Sequence, residues 1–130
     1  MPASPWISVN PVDRQREYLA LLTSLPLRRY RSIPRFMLYS FRVMRQLKRT
    51  PGLLGYSLLA ELSRKQFWTL SVWEDDHALS EFVPRMPHGE VMLKLDGKMG
   101  HTGFWRWKVK GSELPLDWQK SLQRSQEPQR

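Results

Sequence analysis

The segment Phe67-Trp68-Thr69-Leu70-Ser71-Val72-Trp73 most constrains what this chain can fold into. Its β-branched and aromatic residues read as a strand, and alternate side chains of a strand point to opposite faces. One face then carries Trp68, Leu70 and Val72, the other Phe67, Thr69, Ser71 and Trp73. Large apolar groups on both faces require cover on both faces. The last strand-like stretch, His101 to Val109, repeats the pattern, with Trp105 and Trp107 on one side and Phe104 on the other. The chain has 130 residues, and a domain of that size hides about two thirds of its unfolded surface. One core is within reach, provided something covers each face of the sheet.

The other elements set the order. Tyr18 to Leu25 reads as a first strand, stopped by Pro26. Residues 34–49 read as a helix, with Pro34 in its first turn and Thr50-Pro51-Gly52 closing it. At 100° per residue, Phe36, Tyr39, Ser40, Val43, Met44 and Leu47 share one face, and Arg35, Arg42, Arg45 and Arg49 lie opposite. Leu53 to Leu62 reads as a strand with Tyr56, Leu58, Ala60 and Leu62 on one face, joined to Phe67–Trp73 by a turn at 63–66. Asp75 and Asp76 suit a helix start, and Leu79, Phe82 and Val83 follow before Pro84 and Pro87 interrupt. A further helical piece spans about 88–96. The order β-α-β-β-α-β is that of an α+β, ferredoxin-like sandwich.

Residues 17–110 form this unit. Residues 1–16 read as an irregular N-terminal arm, and 111–130 as a polar C-terminal tail whose Leu116 and Trp118 pin its first part. Two helices cover one face of a four-stranded sheet. A second sheet from another copy is the simplest cover for the other, giving a homodimer, a dimeric α/β barrel. The alternative is a monomer whose open face is shielded by residues 1–16 and 111–130.

The sequence contains no Cys, which removes disulfides, thiol nucleophiles and Cys-based metal sites. No apolar run is long enough to span a membrane, and Met1-Pro2-Ala3-Ser4-Pro5 has neither the basic nor the apolar region of a secretion signal. The expectation is a cytoplasmic protein. The net charge of +9 is uneven, with no acid between Glu17 and Glu61. Arg35, Arg42, Arg45 and Arg49 form a basic stripe there. No recognition motif accompanies it, so nucleic acid is not the expected partner, and a solvated face that aids solubility is the favoured reading.

Phe67-Trp68-Thr69-Leu70-Ser71-Val72-Trp73-Glu74-Asp75 resembles the T-x-S-x-W-E strand of dimeric α/β-barrel proteins. Ala78-Leu79, Phe82, His88 and Met92 follow, and Thr50-Pro51-Gly52-Leu53 opens the preceding strand. Over about residues 17–109 this succession is similar to an uncharacterised branch related to spheroidene monooxygenase. More distantly it resembles antibiotic-biosynthesis and haem-degrading monooxygenases. The resemblance implies oxygenase chemistry, with haem as a possible cofactor or with none; fold alone does not settle which.

Among three His, His88 is the candidate catalytic residue. In a helix starting near Pro87 it shares a face with Val91, Met92 and Leu95, in the first turn, where the dipole disfavours imidazolium. A neutral imidazole there suits base work or, as the resemblance implies, haem ligation; a local helix cap is the other reading. Tyr39, Phe41, Trp68, Trp73, Phe82 and Met92 are candidate pocket residues, and the same residue types build cores. Arg106 shares a face with Phe104 and Lys108; enclosed, it would need an anion, and at an edge it is solvated. Two functions follow. One is a monooxygenase-like enzyme acting on a hydrophobic or aromatic small molecule between sheet and helices. The other is a non-catalytic binding or interaction module using the basic face of the first helix.

Overall fold

Five antiparallel strands and the helices packed on them follow the expected order closely. The computed structural model describes residues 5–82 and 103–126. The strands are β1 (Ile7–Ser8), β2 (Glu17–Pro26), β3 (Leu53–Glu61), β4 (Gln66–Trp73) and β5 (Gly103–Lys110). The helices are α1 (Ile33–Leu47), α2 (Asp76–Phe82) and α3 (Trp118–Gln123). Spatial order is β1-β3-β4-β2-β5, so β2 lies between β4 and β5 while β3 pairs with β4. Without the short β1, this is the ferredoxin-like arrangement.

Strand parity divides the core. Leu19, Leu21 and Leu25 of β2, Leu53 and Tyr56 of β3, and Phe67 and Trp73 of β4 face the helices. From α1, Phe36, Tyr39 and Leu47 are buried against them, three of the six residues placed on its inner face by periodicity; Val43 and Met44 pack alongside. Leu53 and Tyr56 reach the same side because a bulge between Leu53 and Gly55 resets the alternation, sending Leu54 to the other face. Gly52, at φ +83°, turns the chain out of α1 into β3.

The opposite face is buried along its centre, where the arm and tail of the same chain pack on it. Ala20, Leu22, Leu54, Leu59, Leu70, Val72 and Val109 are all buried there. Trp6 and Val12 of the arm and Leu114 and Leu116 of the tail pack on it, beside Trp107. The arm is held by Val9 N–H donating to the Leu54 carbonyl (2.9 Å), and by Asn10 Nδ2 donating to the carbonyls of Leu53 (2.6 Å) and Thr50 (3.1 Å). The tail is held by Trp118 Nε1 donating to Ser57 Oγ (2.9 Å) and by the Arg124 guanidinium over the Trp107 ring (5.0 Å). Gly55 permits the arm's approach, because a Cβ at that position would lie 2.5 Å from the Trp6 indole nitrogen.

Two expectations change in consequence. The arm contributes an edge strand, and the tail a short helix with its Asp117 side chain capping Lys120 N–H, where the sequence read as irregular and frayed. The physical reason is that Trp6, Leu114, Leu116 and Trp118 are apolar residues in otherwise polar segments, and half-burial on the sheet face is worth up to about 1 kcal/mol for each. The arm and tail thus cover part of the apolar face for which a second copy was expected, while Trp68, Trp105 and Trp107 on that face stay half-buried.

Candidate functional site

Between the helices and the sheet, the core is not uniformly apolar. Leu27, Phe36, Tyr39 and Phe67 form one cluster, and Leu47, Leu53, Tyr56, Trp73, Leu79 and Phe82 another. A line of hydroxyls runs across the sheet between them. Thr23 pairs with Thr69, Leu21 with Ser71, and Ser71 with Tyr56 across β2, β4 and β3. Parity sends Thr23, Thr69, Ser71 and Tyr56 to the helix side, the side of Phe67 and Trp73. Thr23 and Ser71 are buried.

These hydroxyls are unequal. Trp73 Nε1 donates to Ser71 Oγ at 2.8 Å, which fixes the indole against the strand. The Trp73 ring packs on Phe82 of α2 with centroids 5.1 Å apart and planes tilted by 43°, both side chains buried. Tyr56 is 1% exposed, yet its hydroxyl has no hydrogen-bond partner among the described residues. Burial raises its pKa above the ordinary phenol value, so at neutral pH it is a protonated donor. A buried phenol without an acceptor costs about 1–3 kcal/mol. Such a group is retained most readily where something else accepts its proton.

The candidate residues named from sequence separate. Trp73 and Phe82 come together as expected. Tyr39 is buried in the neighbouring cluster with Phe36 and Phe67. Trp68 lies on the opposite face, with Nε1 donating to Glu61 Oε1 (3.0 Å) and its ring 6.4 Å from Trp105, because residues five apart in a strand point opposite ways. Phe41 is 61% exposed on the outer side of α1, since it falls outside the inner arc that Phe36, Tyr39 and Leu47 define. Arg106 stands on the edge strand β5 and pairs with Asp76 at 3.3 Å, both side chains solvent-accessible. His77 is exposed and meets Glu81 at 3.1 Å. His88 and Met92 lie outside the described residues. Arg35, Arg45 and Arg49 are exposed and Arg42 half-buried on the far side of α1.

Tyr56, Ser71 and Thr69 were not singled out beforehand. Their signal was present: Thr69 and Ser71 sit side by side, between Phe67 and Trp73, on a strand face that must be buried.

No family model matches the chain, and no curated protein matches it by sequence. Solved structures do match in fold. SnoaB from Streptomyces nogalater, a cofactor-independent oxygenase, aligns with a TM-score of 0.61 at 15% identity, over 77% of this chain and 99% of SnoaB. A ferredoxin-fold protein from Listeria monocytogenes, related to antibiotic biosynthesis monooxygenases, aligns with a TM-score of 0.58 at 17% identity, over 70% of this chain and 55% of that one. A presumed monooxygenase from Lactobacillus acidophilus aligns with a TM-score of 0.64 at 12% identity, over 82% of this chain; the chain spans about half (51%) of that protein's length. Among the described residues, no helix is long and apolar enough to cross a membrane. Sheet order, helix placement and these alignments agree that the chain has the ferredoxin-like α+β fold, which it shares with these proteins.

Proposed function

We propose that this protein is a small-molecule enzyme of the monooxygenase-like class, taking a flat, hydrophobic, hydroxylated substrate between α2 and the helix side of the sheet. The observation that carries the reading is the Tyr56 hydroxyl, buried without a partner among the described residues and within the cluster that contains Trp73 and Phe82. The fold it shares with an oxygenase that works without a cofactor supports the choice of chemistry.

In this reading the Trp73–Phe82 pair orients the ring system, and Tyr56 donates to a substrate oxygen on which negative charge develops. Its raised pKa keeps it a donor, never the base. His88, from the segment between α2 and β5, takes the role of base. The reaction is the oxidation of an activated methylene to a carbonyl. Dioxygen gives one atom to the carbon, the other leaves as water with the two methylene hydrogens, and the substrate carbon is the only reductant.

The test is oxygen uptake by the purified protein with a hydroxylated polycyclic compound bearing an activated methylene. One carbonyl product per dioxygen is expected, with kcat/KM lowered in Tyr56→Phe and in Trp73→Leu. No uptake above the uncatalysed rate overturns the reading. An absorbance spectrum of the same sample separates the haem route: a Soret band that disappears in His88→Ala assigns that ligand and replaces the cofactor-free chemistry.

A further inference from the structure

The outer side of α1 carries a second feature that the enzymatic reading does not use. Leu38 is 60% exposed, Phe41 61% and Met37 39%, and Tyr30 in the preceding turn is 57% exposed. At 100° per residue Pro34, Leu38, Phe41 and Arg45 share the outward arc, opposite the buried Phe36 and Leu47. Exposed cations bracket this apolar patch at both ends of the helix: Arg29, Arg31 and Arg35 before it, Arg45, Lys48 and Arg49 after it. No acid occurs between Glu17 and Glu61 to offset them.

From this juxtaposition we propose that the outer face of α1 docks the protein on an anionic lipid bilayer surface, with Leu38 and Phe41 entering the headgroup boundary and the flanking arginines pairing with lipid phosphates. Apolar side chains projecting from a helix flanked by Arg and Lys are the arrangement of an interfacial helix. A second copy does not fit the patch, because like cations would face each other across the contact. A nucleic acid satisfies the cations and leaves the aliphatic Leu38 and Met37 in water. A bilayer accommodates both. The helix is 15 residues, about 22 Å long, so its outer face can lie flat in the interface while its inner face stays on the sheet.

The experiment is co-sedimentation of the full chain with vesicles of phosphatidylcholine alone and of phosphatidylcholine with about one third phosphatidylglycerol, at low and high salt. Binding to the anionic vesicles only, weakening with salt, is expected. In Arg45→Gln/Arg49→Gln the affinity should fall about 25-fold, at about fivefold per charge. In Leu38→Ser/Phe41→Ser it should fall about tenfold or more. Both pairs are exposed, and unchanged circular dichroism melts establish that the variants are folded. The proposal is overturned by equal binding to both vesicles, by no binding to either, or by a Leu38→Ser/Phe41→Ser variant that binds like the parent. A single-stranded RNA oligonucleotide bound more tightly than the anionic vesicles overturns it in favour of nucleic acid. None of these outcomes depends on oxygen uptake.

Discussion

Replacing Tyr56 by Phe should make the protein more stable and less able to handle its ligand. The substitution removes one oxygen from a side chain that is 1% exposed and leaves the ring in its cluster with Leu53, Trp73, Leu79 and Phe82. In the parent, that oxygen is taken from water with no partner among the described residues, at a cost of about 1–3 kcal/mol. Recovering about 1 kcal/mol should raise Tm by about 4 °C, at about 2.1 cal/mol/K of unfolding entropy per residue over 130 residues. Against this, a lost donor to a bound oxygen should weaken ligand binding or kcat/KM about three- to tenfold. pH adds a second signature. The folded-state pKa of Tyr56 is raised, so above about pH 10 the unfolded chain gives up the proton while the folded one keeps it. The stability associated with Tyr56 is therefore complete below that range and is lost as pH rises through the folded value. Calorimetric melts from pH 7 to 11 should show the parent losing Tm faster than Tyr56→Phe at the alkaline end. A Tyr56→Phe protein that melts several degrees lower, with unchanged turnover, would refute the reasoning, because it would mean that the hydroxyl is satisfied within the fold.

Gly55→Ala places a Cβ 2.5 Å from the Trp6 indole nitrogen and should cost about 1–3 kcal/mol, read as a lower Tm with a changed Trp6 environment; the loss should shrink when Trp6→Ala is already present. Deleting residues 114–130 removes Leu114, Leu116 and Trp118 from the second sheet face, and analytical ultracentrifugation should show the shortened chain self-associating more strongly than the parent. Trp118→Phe loses the bond to Ser57 Oγ together with part of the indole's packing area, so denaturant melts should report a loss of about 1–2 kcal/mol. Arg106→Ala breaks an exposed pair with Asp76 and should change stability by no more than about 0.5 kcal/mol; a larger loss would mean that this edge is enclosed.

The order of elements was legible because each rests on a local signal. Pro26 ends β2, Pro34 starts α1, Thr50-Pro51-Gly52 ends it, and Asp75-Asp76 opens α2; these act within a turn of where they stand. The inner face of α1 was legible for the same reason, since helical period alone selects Phe36, Tyr39 and Leu47. The candidate site was legible only in part. Trp73 and Phe82 were named and do meet, whereas Trp68 was grouped with Trp73 although strand parity places it on the other face.

What the sequence by itself determined is that a β-α-β-β-α-β chain, apolar on both sides of β4, must keep both faces of its sheet dry. What covers the second face was decided only in the tertiary structure. The sequence named Leu116 and Trp118 as anchors of the tail, but it left open whether the arm and tail or a second copy meets the face, and that choice depends on contacts far apart in the chain. The isolation of the Tyr56 hydroxyl is equally non-local. Whether a buried oxygen has a partner depends on what β2, β4 and the helices bring to it, and no spacing along the chain encodes that.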